Sequence, residues 1–312
     1  MTAQLTFVHA LSPLHAGIGQ GAGVIDLPIA REKATNLPFL PGSSIKGALS
    51  TRAFNRGDND KIYTYIFGPK VIPETDNRAS MVQFADQKLL LLPIRSLAGT
   101  FAWVTSPYIL RRLARDIADV EFTQSNTPST LTVPTVKKTS CLIASDNAAI
   151  ALKVQGTNKI YLEDLELTVQ SEQTPTNATS QWAEWIGSHV FPGDDDWRRM
   201  LTARFCIVHD DIFNFLCTTA TEITTRIHLQ ENIKTVQEGG LWYEEALPTE
   251  TILYGIVTAT PHKDEAFRAL LKEELTTEKI FSLLADLGDK AIQLGGKATV
   301  GRGLCRVLFS NQ

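Results

Sequence analysis

The 312-residue sequence is poor in the features that mark several large protein classes. Its four cysteines, Cys141, Cys206, Cys217 and Cys305, lie far apart, and none forms a CxxC pair. Structural zinc and thiol redox chemistry both need closely spaced ligands, so the four read as small buried hydrophobes. No run approaches the roughly 18 uncharged apolar residues of a membrane span. The first residues have no basic segment ahead of an apolar one, so a secretory signal is not expected. A cytoplasmic protein with no membrane partner follows as the expectation. Neither sign of charge dominates: 30 Lys+Arg against 34 Asp+Glu leave −4, which disfavours a uniformly basic nucleic-acid coat. What is present is a chain 43% hydrophobic, long enough to bury a sizeable core.

The small net charge conceals a polarity. Residues 1–56 hold five bases and two acids, a net of 5 − 2 = +3, and residues 290–312 hold four bases and no acid. The middle, 57–289, therefore carries −4 − 7 = −11. Should the two ends meet, an acidic molecule would have a basic face, and local field rather than total charge decides whether a polyanion docks.

Patterning predicts a mixed α+β protein with helices on an antiparallel sheet. Residues 3–12 alternate as a strand, and VIDLPIA (24–30) is a further extended segment. A helix is predicted from PGSSIKGALSTRAF, with Ser43 or Ser44 as N-cap and a stripe of Ile45, Ala48, Leu49, Ala53 and Phe54. Residues 57–80 are polar and turn-rich, consistent with an exposed insertion. Strands are expected within 81–105, and a helix opens near Ser106-Pro107. Short β patches cover 120–180, and a short helix covers 182–191. Asp194-Asp195-Asp196 reads as an acidic loop. Residues 223–248 alternate on either side of a Gly239-Gly240 turn as a long β-hairpin. A buried strand follows, then a helix capped by Thr276 or Thr277, and the chain closes as strand, Gly-rich loop, strand.

Two glycine strings invite nucleotide readings and fail them. GIGQGAG (17–23) is followed by an extended segment, where a dinucleotide fingerprint needs a helix N-terminus. GGKATVGRG (295–303) lacks the P-loop spacing and also precedes a strand. An enzyme with a nucleotide cofactor is disfavoured accordingly. Both loops can still expose backbone N–H groups beside Lys297 and Arg302 and so cradle phosphates. The helix start at Ser43, Ser44 and Lys46 offers a second anion site through its dipole.

The stretch from Leu11 to Phe54, LSPLHAGIGQGAGVIDLPIAREKATNLPFLPGSSIKGALSTRAF, together with QLGGKATVGRGLCRV (293–307), closely resembles the RAMP superfamily of CRISPR-associated proteins. RIHLQENIKTVQEGGLWYEEALPTETILYG (226–255) is similar to the hairpin of that family's repeating backbone subunit in type III-B (Cmr) effectors. The resemblance implies a single domain with a ferredoxin-like (RRM-like) palm from 1–56, 81–120 and 200–312. Insertions would lie at about 57–80 and 120–200, and a protruding β-hairpin thumb at about 223–248. Copies would stack along a guide RNA with other Cmr-type subunits, and thumbs would wedge the guide–target duplex. The target RNA would then be cut at regular intervals with a divalent metal, Mg²⁺ or Mn²⁺.

By position, the resemblance places Ser43, Ser44, Lys46, Arg52, Arg226, Gly295, Gly296, Lys297, Gly301 and Arg302 on RNA. Asp26 matches the catalytic aspartate and is the metal candidate, with His15 near it. RNA supplies its own nucleophile, the 2′-OH, so a cleaving site has to fix in-line geometry and move protons. Asp26 could take the 2′-OH proton or bind the ion, His15 could serve the leaving oxygen, and Tyr243 or Glu244 could supply the remaining proton. Asp26 has only Glu32 nearby in sequence, too few carboxylates for a two-metal site. Ile227, Leu229, Ile233 and Val236 are the apolar candidates for a wedge. The alternatives are a non-cleaving structural subunit and a processing enzyme acting alone on the guide precursor.

Overall fold

The computed structural model describes residues 2–19, 24–56, 60–69, 79–124, 131–145, 148–171, 177–229, 236–261 and 275–310. Side chains at 60–61, 121–124, 229 and 236–239 lie outside that description. The first half of the chain forms β1 (Thr2–Ala10), β2 (Phe39–Leu40), α1 (Gly42–Arg56), α2 (Asp60–Phe67), β3 (Val82–Phe84), β4 (Gln87–Arg95), β5 (Phe101–Thr105), α3 (Pro107–Gln124) and β6 (Ser140–Ile143). Then come β7 (Leu152–Val154), β8 (Thr157–Leu162), β9 (Leu165–Val169), α4 (Ala178–Val190), α5 (Asp195–Arg204), β10 (Phe205–Val208) and α6 (Asp210–Thr219). The last third holds β11 (Glu222–Leu229), β12 (Val236–Ala246), β13 (Ile252–Ala259), α7 (Thr277–Gly288), β14 (Ile292–Gln293) and β15 (Leu304–Phe309).

Strand β1 is buried from Leu5 to Ala10 without interruption, the pattern of a strand covered on both faces. It runs antiparallel to β13 on one side and to β15 on the other. The order β15-β1-β13-β4 is antiparallel throughout, with α1 in the connection from β1 towards β4 and α7 between β13 and β15. The same sheet continues from β4 through β5, β10, β6, β9 and β8 to β7, so segments from the middle of the chain extend one platform. Hairpin β11–β12 stands apart as its own two-stranded sheet. Among the described residues, no helix is long and apolar enough to cross a membrane. All four cysteines are buried thiols.

Helix α1 shows how local sequence becomes position. Ile45, Leu49 and Ala53, one turn apart, are fully buried, and each large aliphatic burial contributes about 1.5–3 kcal/mol. The helix begins at Gly42, ahead of the serines expected to cap it, and its first N–H donates to Asp86 Oδ1 (2.9 Å). Glycine is required there because a Cβ would stand 2.2 Å from the Phe84 carbonyl oxygen. At the other end, the Arg52 guanidinium donates to the carbonyls of Leu287, Lys290 and Ala291, closing the open end of α7.

Three expectations are corrected. Part of the segment expected as an exposed insertion, 60–67, is helical, with Tyr63, Ile66 and Phe67 in the core, because a one-turn apolar stripe lies hidden among polar neighbours; 57–59 and 70–78 lie outside the described residues. Asp194-Asp195-Asp196 starts α5: Asp194 accepts from the Trp197 N–H, and Asp195 and Asp196 occupy the first turn, where negative charge meets the helix dipole. The hairpin does not turn at Gly239-Gly240; both lie inside β12, and the connection falls at 230–235, outside the described residues. Alternation survives a glycine pair in a strand, so the pair alone misplaced the turn.

Replacing Gly42 by alanine should lower unfolding stability by about 1–3 kcal/mol, the range for forcing atoms into a packed site. A denaturant titration with unchanged slope and a lower midpoint is the expected result. An unmoved midpoint would contradict the close approach.

Candidate functional site

The two chain ends meet backbone to backbone. Leu11 and Ser12 donate N–H to the Leu304 carbonyl, Gly303 N–H donates to Pro13, and Gly296 N–H donates to His15 (2.9 Å). Glycine allows the closing loop to fold on itself at Gly303 and to approach the first loop at Gly295. Gly303, at φ +78°, would put a Cβ 2.0 Å from the Leu294 oxygen, and Gly295, at φ +70°, would put one 2.4 Å from the His15 oxygen. The glycine-rich closing loop thus lies directly on the loop that follows β1.

Against this junction lies the base of the hairpin. Leu27 N–H donates to the Tyr243 carbonyl (3.1 Å), and Glu245 N–H donates to the Leu27 carbonyl (3.0 Å). The extended segment read from VIDLPIA is therefore a short rung along β12. Asp26, just before it, is exposed, and its Oδ2 accepts from the Tyr243 N–H (2.8 Å). That bond orients the carboxylate and leaves Oδ1 without a partner among the described residues. The Tyr243 ring is 37% exposed on the same edge.

His15 is 7% exposed and lies beneath the glycines rather than on the surface. Its Nδ1 donates to the Glu245 carbonyl (2.6 Å), which assigns the other nitrogen, Nε2, to face Gly17. A Cβ at Gly17 would come within 2.4 Å of that nitrogen. The structure thus brings His15, Asp26, Tyr243 and Glu244 to one junction, with His15 as its floor.

Glu244 is a counter-ion. Its carboxylate is 5% exposed and accepts from Trp242 Nε1 (2.8 Å), pairs with Lys297 Nζ (2.9 Å) and meets Arg226 Nε (3.3 Å). Burial pushes its pKa up, but the hydrogen bonds from Trp242 and Lys297, the Lys297 charge and the Arg226 contact outweigh it and hold the carboxyl below its usual range. An anion so held is not a proton donor near neutrality.

Several residues expected on RNA are committed elsewhere. Arg302 is 7% exposed, its guanidinium on Glu222 Oε1 (2.5 Å) and Thr224 Oγ1 (2.7 Å) of β11. Arg52 is tied to carbonyls at and just beyond the end of α7, as described above. Lys46 donates to Ser80 Oγ (2.7 Å), and burial lowers its pKa. Sequence alone could not reveal these partners, because each lies 34 or more residues away. Wedge candidates divide likewise: Ile227 is 50% exposed, the side chains of Leu229 and Val236 are not described, and Ile233 lies outside the described residues.

What remains between the two loops and α1 is a cleft of about 390 Å³. Ala16 and Gly17 line it from the first loop, Ser43, Ser44 and Gly47 from α1, and Gly295 and Gly296 from the last loop. Every lining residue is uncharged, and the N–H groups of Gly42, Ser44 and Gly296 already donate to Asp86, Pro41 and His15, so the polar groups this cleft offers include the hydroxyls of Ser43 and Ser44. Gly301 is exposed at φ +80° beyond the cleft.

A chain-built metal cage is absent among the described residues, where no three His, Cys, Asp or Glu side chains gather. Glu32, the nearest acid in sequence to Asp26, is held by both Arg112 guanidinium nitrogens (2.9 and 2.6 Å). Glu245, the acid beside Glu244, is buried on Arg31. Asp26 Oδ1 is the donor this junction offers, which suits an ion such as Mg²⁺ that keeps its waters and takes one carboxylate plus substrate phosphates.

Residues 7–306 match the RAMP superfamily. The CRISPR system Cmr endoribonuclease Cmr4 of Pyrococcus furiosus is 32% identical over 98% of this chain and 95% of its own length. The CRISPR system CMR subunit Cmr4 of Saccharolobus solfataricus is 26% identical over 98% of this chain and 96% of its own. Among solved structures, oligomeric Cmr4 from Pyrococcus furiosus superposes with a TM-score of 0.69 at 26% identity, covering 99% of this chain and 98% of that one. A chain of a type III-B Cmr-beta complex bound to cognate target RNA gives 0.70 at 21% identity over 99% and 97%, a likeness of fold.

The Glu244 network sets a pH dependence. A carboxyl depressed in the folded state stabilises above its ordinary value of 4.5 and loses that contribution as pH falls through its folded value. Glu244→Gln should therefore be less stable than the parent at pH 7, and the gap should close as the medium is acidified below 4.5. Denaturant midpoints measured across that window check it; a constant gap would contradict the ionised network.

Proposed function

The chain belongs to the RAMP superfamily, and from that premise we propose that it is a guide-RNA-binding filament subunit of a type III-B CRISPR effector that cleaves the complementary target RNA at regular intervals. In this reading β15-β1-β13-β4, with α1 and α7 as its crossovers, is a ferredoxin-like palm of a single domain. The strands beyond β4 belong largely to the insertions, and β11–β12 is the thumb. Its partners are guide RNA, target RNA, further copies of the chain and other Cmr-type subunits, in the cytoplasm.

One observation carries the cleaving reading over a purely structural one: Asp26 is exposed and aimed by the Tyr243 N–H at the place where both chain ends and the hairpin base converge. Guide phosphates would rest in the neutral cleft, on the hydroxyls of Ser43 and Ser44 and against the glycines of the closing loop. Such contacts fix position without reading sequence. The target strand would then pass Asp26, whose unpartnered Oδ1 takes the proton of a 2′-OH held in line with its phosphorus. A nucleotide pushed out of the duplex reaches that alignment more readily than one inside an A-form helix. Tyr243 is the donor candidate for the 5′-leaving oxygen, and His15 supports the loop from below. In the alternative role, with Asp26 Oδ1 serving as ligand instead of base, a divalent ion, Mg²⁺ or Mn²⁺, would be held there with RNA phosphates and water and would supply neutralisation of the phosphate charge.

Asp26→Asn keeps the side chain's size and its bond from Tyr243 while removing the base. In a reconstituted effector it should bind guide RNA and assemble as the parent does, and cut target about 10²–10⁴-fold more slowly, the span for losing a general base. Parental cutting by this variant would leave the chain as a structural subunit.

A further inference from the structure

Every polar atom of Glu245 is engaged, and together the engagements reach the 27–31 segment, His15 and Thr221. Its N–H donates to the Leu27 carbonyl (3.0 Å), and its carbonyl accepts from His15 Nδ1 (2.6 Å). Side-chain Oε2 accepts from the Ile29 N–H (3.1 Å), and Oε1 accepts from the Thr221 hydroxyl (3.0 Å) and from Arg31 (2.5 Å). Arg31 extends the tie, donating to the carbonyls of Asn36 and Cys217, both at 3.0 Å. The ion pair thus joins the Asp26 loop to the end of α6 and the foot of the hairpin, while the main chain of Glu245 holds Leu27 and the floor histidine.

The chemistry of the pair explains its rigidity. Glu245 is 3% exposed, and a carboxylate so buried is tolerated only when its oxygens are paired and hydrogen-bonded. Guanidinium is the cation that combines permanent charge with fixed donor directions. Among the described residues Asp26 accepts one bond, from Tyr243, and the segment after it is fixed by the Leu27 rungs, by the Ala30 N–H on the Ala16 carbonyl and by the Ile29 N–H on Glu245. The Ile29 bond is the one that exists through the Glu245 side chain. Neither Arg31 nor Glu245 lines the phosphate cleft.

We propose that the Arg31–Glu245 ion pair is a positioning device for cleavage, setting where the Asp26 carboxylate stands relative to His15 and the target strand, and acting on the rate of bond breaking rather than on RNA binding. The proposal rests on Asp26 acting on RNA. Displacement of a reacting group by about 1 Å can slow a reaction about 100-fold, which sets the size of the expected effect.

The test uses the reconstituted effector with guide RNA and a series of target RNA concentrations, comparing parent, Arg31→Gln, Glu245→Gln, Arg31→Lys and Asp26→Asn. Arg31→Gln and Glu245→Gln should lower the saturating cleavage rate about 100-fold while leaving the half-saturating concentration within about twofold of the parent. Arg31→Lys keeps the charge without the fork and should recover part of the loss. An unchanged saturating rate in Arg31→Gln, with Asp26→Asn silent, would overturn the positioning role alone. Failure of Arg31→Gln to assemble with guide would also overturn it, making the pair a folding element. Parental cutting by Asp26→Asn would instead remove the underlying assignment, and the proposal with it.

Discussion

β1 pairs with β13 from Thr2 to His9 and with β15 from Thr6 to Ala10, so the loops leaving these strands must emerge side by side. The consequences follow in order. The loop after β1 meets the closing glycine loop, with Gly303 N–H on Pro13 and Gly296 N–H on His15. The strand that precedes β13 is β12, and its foot lies against the same loops through Leu27 and Leu14, the latter bridging Leu247. Residues more than 200 positions apart thereby form one surface, and the acid exposed on it is Asp26. Were β1 displaced from this pair of neighbours, the cleft, the floor histidine and the aimed carboxylate would separate together.

The charge asymmetry of the sequence has a different meaning once side chains are placed. Bases concentrated at the two ends suggested a cationic cradle. Four of those nine bases instead pair with acids of the middle: Arg31 on Glu245, Arg56 on Asp286, Arg302 on Glu222, Lys297 on Glu244. The cleft between the loops is left to uncharged groups, the hydroxyls of Ser43 and Ser44 among them. Neutral donors of this kind suit a phosphate whose position, not identity, has to be fixed.

Much of this was legible in the sequence. The apolar stripe Ile45, Leu49, Ala53 marked α1, alternation marked β11–β12 as a hairpin, and Thr276 does cap α7 by accepting from the Lys279 N–H. The glycine strings lacked the helix a dinucleotide loop needs, and the closing one lies on the loop after β1, a contact the strings themselves did not indicate. What stayed hidden depends on partners distant in sequence. Asp86 capping α1, Ser80 taking Lys46, and the carbonyls at and just beyond the end of α7 taking Arg52 leave no local trace. Glu245 illustrates the same limit: beside Glu244 it is an identical letter, yet the strand pleat sends one to Lys297 and the other to Arg31.

The central claim is that an exposed aspartate at this junction activates a ribose hydroxyl of the paired strand. Its most direct measurement places a single 2′-deoxynucleotide immediately 5′ of one cleavage position in an otherwise all-ribose target and maps every cut in the reconstituted effector. The account predicts that this one cut disappears while the others continue, and that ribose targets yield 2′,3′-cyclic phosphate and 5′-hydroxyl ends. Continued cutting at the deoxy position, with 5′-phosphate ends, would contradict it, because the nucleophile would then be water rather than the RNA.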